Sequence, residues 1–216
     1  MATCNAAELM ASATCLSGLQ PDQKQTVIAY LLCQLAGGSD ASSGGGGLTT
    51  PTDAQLVRGS MAVVSAEFER PNDTTAYAGN DVVGPTVAAV MTFANVGRIV
   101  GGNGYVTNVR LIKSTNVTAN ATFRLWLYQT APAVIADNAP FTLLYANRAI
   151  RLGYVDLPCS TEGAGSNSAS SFLTNVNLKF ACTAASRDLY GVLEVKQAYI
   201  PGALEDFFVE ITVDQN

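Results

Sequence analysis

The chain has 216 residues, of which 48% are hydrophobic and only 13% charged, with a formal net charge of −5 and no histidine. That apolar fraction can fill a core and excludes wholesale disorder, while the charged fraction is well below the roughly 25% of an ordinary soluble domain. The scattered Lys and Arg leave no footprint for nucleic acid. No run approaches the roughly 18 apolar residues of a membrane span, and without histidine no Ser-His-Asp or Cys-His relay can be assembled.

In chain order, residues 4–36 read as a helical hairpin. Pro21 and Asp22 suit a first helical turn. Val27, Ile28, Leu31, Leu32 and Leu35 then recur at helical spacing, and Gly37–Gly38 supply the stop. A shorter preceding piece puts Leu9, Met10 and Ala13 on one face, with the turn at Ser17–Pro21. Some three dozen residues cannot bury two apolar faces alone, so the hairpin (1–37) needs a partner surface and is read as an anchor. Residues 38–54, which hold most of the string GGSDASSGGGGLTTPTD, form a flexible Gly/Ser-rich linker. About ten such residues span on the order of 20 Å as a random coil. No Gly-Lys-Ser/Thr follows, so this is not a phosphate-gripping loop.

From residue 55 to 216 the period changes to two. Ala62, Val64, Ala66 and Phe68 alternate with polar partners. So do Val87, Ala89, Met91 and Phe93; Tyr105, Val109 and Leu111; and Phe123, Leu125 and Leu127. Ile150, Leu152 and Tyr154 follow, then Val176, Leu178 and Phe180; Leu189, Leu193 and Val195; and Phe207, Val209 and Ile211. These candidate strands, separated by Asn-Gly, Gly-Gly, Pro and Asn/Asp/Ser turns with no long helix between them, predict a mainly β, antiparallel, jelly-roll-like sandwich.

A second set of side chains points away from that core. FRLWLYQ turns Arg124, Trp126 and Tyr128 outward, Phe208 lies opposite Phe207 and Val209, and Val106 and Ile112 oppose Val109 and Leu111. Tyr105, Trp126 and Tyr128 are the candidate outward contact face. Outward aromatics signal a subunit contact, a stacking platform for sugar, or burial under a long loop such as 129–148.

No catalytic or metal constellation emerges. Glu67 and Glu69 share the solvent side of one strand, which does not hold two carboxylates across a cleft. Asn72–Asp73, Asn80–Asp81 and Asp137–Asn138 read as turn chemistry rather than cation ligands. The five cysteines, Cys4, Cys15, Cys33, Cys159 and Cys182, are widely spaced and read as buried free thiols. The N-terminus has neither the basic nor the continuous apolar region of a secretory signal, so synthesis and assembly in a cytoplasm are expected, and the sequons at Asn72, Asn116 and Asn120 are read as coincidental.

Several strings resemble tailed-bacteriophage virion proteins. Cys15–Leu16, Gln25–Val27 and Tyr30–Leu35 resemble their helical head segments. AYAGNDVVG, GRIVGGNGYVTNVRLIKST, FRLWLYQTAPAVIADNAPF and LGYVDLP, in that order, resemble the β-sandwich modules of capsid decoration and head-fibre proteins. The resemblance implies a non-enzymatic structural protein of the virion, without cofactor, metal, nucleic acid or membrane. It also implies a helical head docked on the major capsid protein and a homo-oligomer, a trimer first, about a symmetry axis. The alternative is a receptor- or glycan-binding appendage of the particle, with Tyr105, Trp126 and Tyr128 as its platform.

Overall fold

The computed structural model of the chain describes residues 60–216. The helical anchor with Val27, Ile28, Leu31, Leu32 and Leu35, and the Gly/Ser-rich linker, lie outside the described residues.

The described residues form a mainly β structure of two antiparallel sheets. The strands are β1 (Ser60–Glu69), β2 (Val82–Val83), β3 (Met91–Phe93), β4 (Asn103–Lys113), β5 (Thr122–Tyr128), β6 (Arg151–Pro158), β7 (Ser160–Thr161), β8 (Ala169–Leu173), β9 (Leu178–Ala181), β10 (Leu189–Val195) and β11 (Asp206–Gln215). One 3-10 turn, Tyr145–Ala149, precedes β6. The first sheet runs β1-β11-β4-β8-β7, with β9 beside β4 as well; the second runs β2-β10-β5-β6, with β3 beside β10.

This order is nested. First pairs with last (β1 with β11), second with second-last (β2 and β3 with β10), then β4 with β8 and β9, and innermost β5 with β6. Three further ladders, β11 with β4, β10 with β5 and β7 with β8, complete the sheets. The chain thus behaves as one long hairpin wrapped around its own core. Most of its contacts are distant in sequence.

The core lies between the sheets. Phe123, Leu125 and Leu127 of β5 and Leu189, Leu193 and Val195 of β10 meet Val109 and Leu111 of β4 and Phe207, Val209, Ile211 and Val213 of β11. Phe123 packs edge-on against both Phe207 and Tyr199 at 5.4 Å. These are the period-two residues of the sequence, and their alternation sets which face turns inward.

Two β-bulges break that alternation. On β4 the pairing with β11 passes from Asn108↔Thr212 to Val106↔Val213, leaving Thr107 as the extra residue. Val106 and Val109 therefore both face the core, Val106 against expectation, and Tyr105 faces out, in keeping with its place on the expected contact face and against the Tyr105–Val109–Leu111 alternation. On β6 the partners shift from Gly153 to Arg151 across Leu127/Tyr128, leaving Leu152 as the extra residue. Of the expected Ile150–Leu152–Tyr154 face Leu152 alone packs on the core; Tyr154 turns outward, Ile150 joins the outer cluster, and Val155 and Leu157 fill the core instead. A bulge adds one residue to one strand, so it flips every later side chain.

The strand expected over Val87–Phe93 contracts to Met91–Phe93, and Val87 is 82% exposed. Strands β2, β7 and β8 arise where no alternation was read.

Candidate interaction surfaces

The outer face of the second sheet is closed. Trp126 and Tyr128 point away from the core as expected, yet Trp126 is only 7% exposed and Tyr128 is buried. The segment between β5 and β6 folds back over them. Phe141 stacks on Trp126 at 5.4 Å, Tyr154 tilts against it at 4.9 Å, and Ile135 and Ile150 complete a small second core with Val82 and Val192. The indole N–H donates to Glu194 Oε2 at 2.6 Å, and Glu194 is itself paired to Lys196 at 2.9 Å. A slot of about 80 Å³ remains under the segment, lined by Tyr128, Pro132, Phe141 and Val192 among others. It is far smaller than the roughly 300 Å³ of a typical ligand pocket. Of the three residues expected to make a contact face, the structure exposes Tyr105 alone (37%), on the other sheet, and does not bring it to Trp126 or Tyr128.

What remains open on the second sheet is polar. Arg124 holds Asp156 by two hydrogen bonds, 2.6 and 2.8 Å, and lies 3.8 Å over the Tyr154 ring. The bidentate Arg124 hydrogen bonds hold the Asp156 carboxyl below its usual range.

The covering segment is fixed by a buried polar cluster at one end of the sandwich. Asp137 accepts from Tyr77 Oη at 2.5 Å, from the Gly84 backbone at 2.9 Å and from Arg70 Nη2 at 3.2 Å. Arg70 is fully buried; its Nε donates to Tyr77 and its Nη1 reaches the Gly202 carbonyl at 3.1 Å. Desolvation alone would lower the Arg70 pKa, but Tyr77 and Asp137 outweigh it and the net shift is upward. Asp137 is thus more than the turn residue that sequence suggests. It pins the loop before Pro140 to the strand ends.

A second cluster adjoins it. Lys113 and Glu205, both fully buried, pair at 2.9 Å. Lys113 Nζ also donates to the Thr115 carbonyl and hydroxyl, both at 2.8 Å, and Tyr199 Oη donates to both Glu205 oxygens at 2.8 Å. Tyr77 stacks on Tyr199 at 6.2 Å and joins the clusters. Burial, then the neighbouring carboxylates, pushes both phenols well above their ordinary range. Burial likewise pushes the half-buried Cys159 thiol up to about 12. Every charge has a partner, so the clusters hold loops together rather than offering a reactive group.

Among the described residues, the outer face of the first sheet is open. Phe172 is 60% exposed, and Met61 and Val63 on β1 are 67% and 61% exposed. Along one row Glu210, Arg110 and Phe172 stand side by side across β11, β4 and β8; in the next row Phe208, Ile112 and Ser170 do the same. Arg110 pairs with Glu210 at 3.1 Å and lies 5.6 Å over the Phe208 ring. Glu67 and Glu69 stay on the solvent side of β1, as expected. Sequence reasoning missed Phe172, which sits on a strand whose serines hide the period.

The geometry defines a class: a mainly β protein of two antiparallel sheets, with one outer face covered and the other free among the described residues. No family model and no curated protein matches the sequence. Among solved structures, a chain of Desmodium yellow mottle tymovirus is 11% identical, with 80% of this chain and 95% of that chain covered and a TM-score of 0.23. A superposition that loose bears on neither the function nor the site.

Proposed function

We propose that this chain is a non-enzymatic structural protein of a viral particle, a capsid decoration or head-fibre protein that docks on the shell through its N-terminal residues. The observation that carries the reading is the nested strand order, which we read as a jelly roll, an architecture used by viral capsid and lectin domains. Fold alone does not assign function, and the surfaces supply the rest. Among the described residues, the open face of the first sheet sets Phe172, Met61 and Val63 beside Ser65, Ser170 and Thr212 as well as the Arg110–Glu210 pair, and its short neutral residues cost little side-chain entropy to immobilise against a neighbour. The partner we favour is the major capsid protein or another virion protein.

The glycan-binding alternative loses support, because its stacking platform at Trp126 and Tyr128 is roofed by the segment after β5. Deleting residues 1–36 tests the docking. The remaining chain is expected to stay soluble and to stop co-sedimenting with particles, and undiminished co-sedimentation would sink the anchor.

A further inference from the structure

We propose that β1 pairs antiparallel with β1 of a second copy of this chain, about a two-fold axis at Val63, joining the first sheets of both copies into one.

Among the described residues β1 has a strand partner on one edge only, β11, and that ladder runs unbroken from Ser60↔Gln215 to Glu69↔Asp206. The other edge is therefore a regular ten-residue row of backbone donors and acceptors. Such edges are normally blunted by proline, lysine, bulges or brevity. The opposite long edge, β6, carries a bulge at Leu152, the charges Arg151 and Asp156, and Pro158 at its end. The remaining edge strands, β2, β3, β7 and β9, have two to four residues. Over Ser60–Ala66 strand β1 has none of these protections, its two charges, Glu67 and Glu69, coming after that run.

Two further observations point to a covering strand rather than to solvent. The inward side chains Ala62, Val64, Ala66 and Phe68 are all only half-buried, whereas those opposite them on β11, Val213, Ile211, Val209 and Phe207, are fully buried. Among the described residues the flank of the core is thus incomplete along β1. On the outer side Met61 and Val63 stand exposed at the same place. Beside this edge Pro85–Thr92 forms the second wall of an open groove of about 570 Å³, with Val87 at its rim.

Charge selects a second copy and its register. The run Ser60–Ala66 carries no charge, and Glu67 and Glu69 follow it. A two-fold at Val63 pairs this run wholly with itself: Val63 opposite Val63, Ala62 opposite Val64, Met61 opposite Ser65, Ser60 opposite Ala66. All four glutamates of the two copies then fall outside the seven-residue ladder, two at each end. An acidic partner strand would meet like charge, and an isologous contact buries the same patch on both subunits. The contact does not depend on the virion reading, and it is separate from any three-fold association.

The test uses the full-length protein and two substitutions at exposed Val63, with thermal unfolding as the folding control. By light scattering after size exclusion, Val63→Lys is expected to halve the particle mass of the native protein. Under mild oxidation Val63→Cys is expected to give a covalent dimer well above the native background of cysteine cross-linking, because directly opposed residues are within disulfide reach. A monomeric native protein, an unchanged mass in Val63→Lys, or no cross-link above background in Val63→Cys each overturns the proposal.

Discussion

Lys113 and Glu205 show what a buried charge demands of its neighbours. Each is sealed from water, and each is stabilised only because Thr115, Tyr199 and the partner charge fill its hydrogen-bonding capacity. Removing one member leaves the other uncompensated, which typically costs about 3–5 kcal/mol, whereas replacing both with apolar groups of similar size is often nearly neutral. Glu205→Leu is therefore expected to destabilise by about 3–5 kcal/mol in denaturant unfolding, and Lys113→Met with Glu205→Leu to recover most of that loss. A double variant as unstable as the sum of the singles would refute the pairing. Cys159 gives a pH signature from the same region. Its folded pKa is raised from 9.0 to about 12, so the unfolded chain releases this proton first as pH rises. The contribution is whole below pH 9 and is lost between about 9 and 12, with a slope approaching 1.4 kcal/mol per pH unit. Cys159→Ala should flatten the fall in unfolding free energy between pH 9 and 11 by up to that slope; an unchanged slope would place the thiol in water.

At the scale of elements, the covering segment between β5 and β6 turns Trp126 from a surface residue into a core residue. Trp126→Ala is expected to lower stability by about 3–5 kcal/mol, the range for losing a buried Trp, as measured by chemical denaturation. A loss below about 1 kcal/mol would mean that the segment does not pack there. The same segment shows where sequence reading ends. That Trp126 and Tyr128 leave the β5 core face is legible, because period two fixes direction. That something covers them is not, because it depends on Asp137 reaching Arg70 and Tyr77, more than 50 positions upstream. Strands β1, β5 and β11 are legible throughout, since their alternation runs uninterrupted. Strands β4 and β6 are legible only up to their bulges, where the extra residue reverses the phase of Tyr105 and Tyr154. Strand β8 is hidden because Ser171 takes an inward core position that composition marks as polar.

Over the whole molecule, the nested pairing makes the first and last strands neighbours, so β1 and β11 join only when the ends of the domain meet. Antiparallel two-sheet architecture follows from strand count and turn chemistry in the sequence, but the order of strands does not, because every inward strand is apolar in the same way. Among the described residues one broad face is covered by the segment between β5 and β6 and the other stands open, and an open face that carries Met61, Val63 and Phe172 suits a molecule that works packed beside others. The most direct measurement is quantitative mass spectrometry of purified virus particles, with this chain counted against the major shell protein. A fixed stoichiometry that survives high-salt and detergent washing is the expected result. Particles that lack the chain, or shed it completely on washing, would contradict a structural role in the virion.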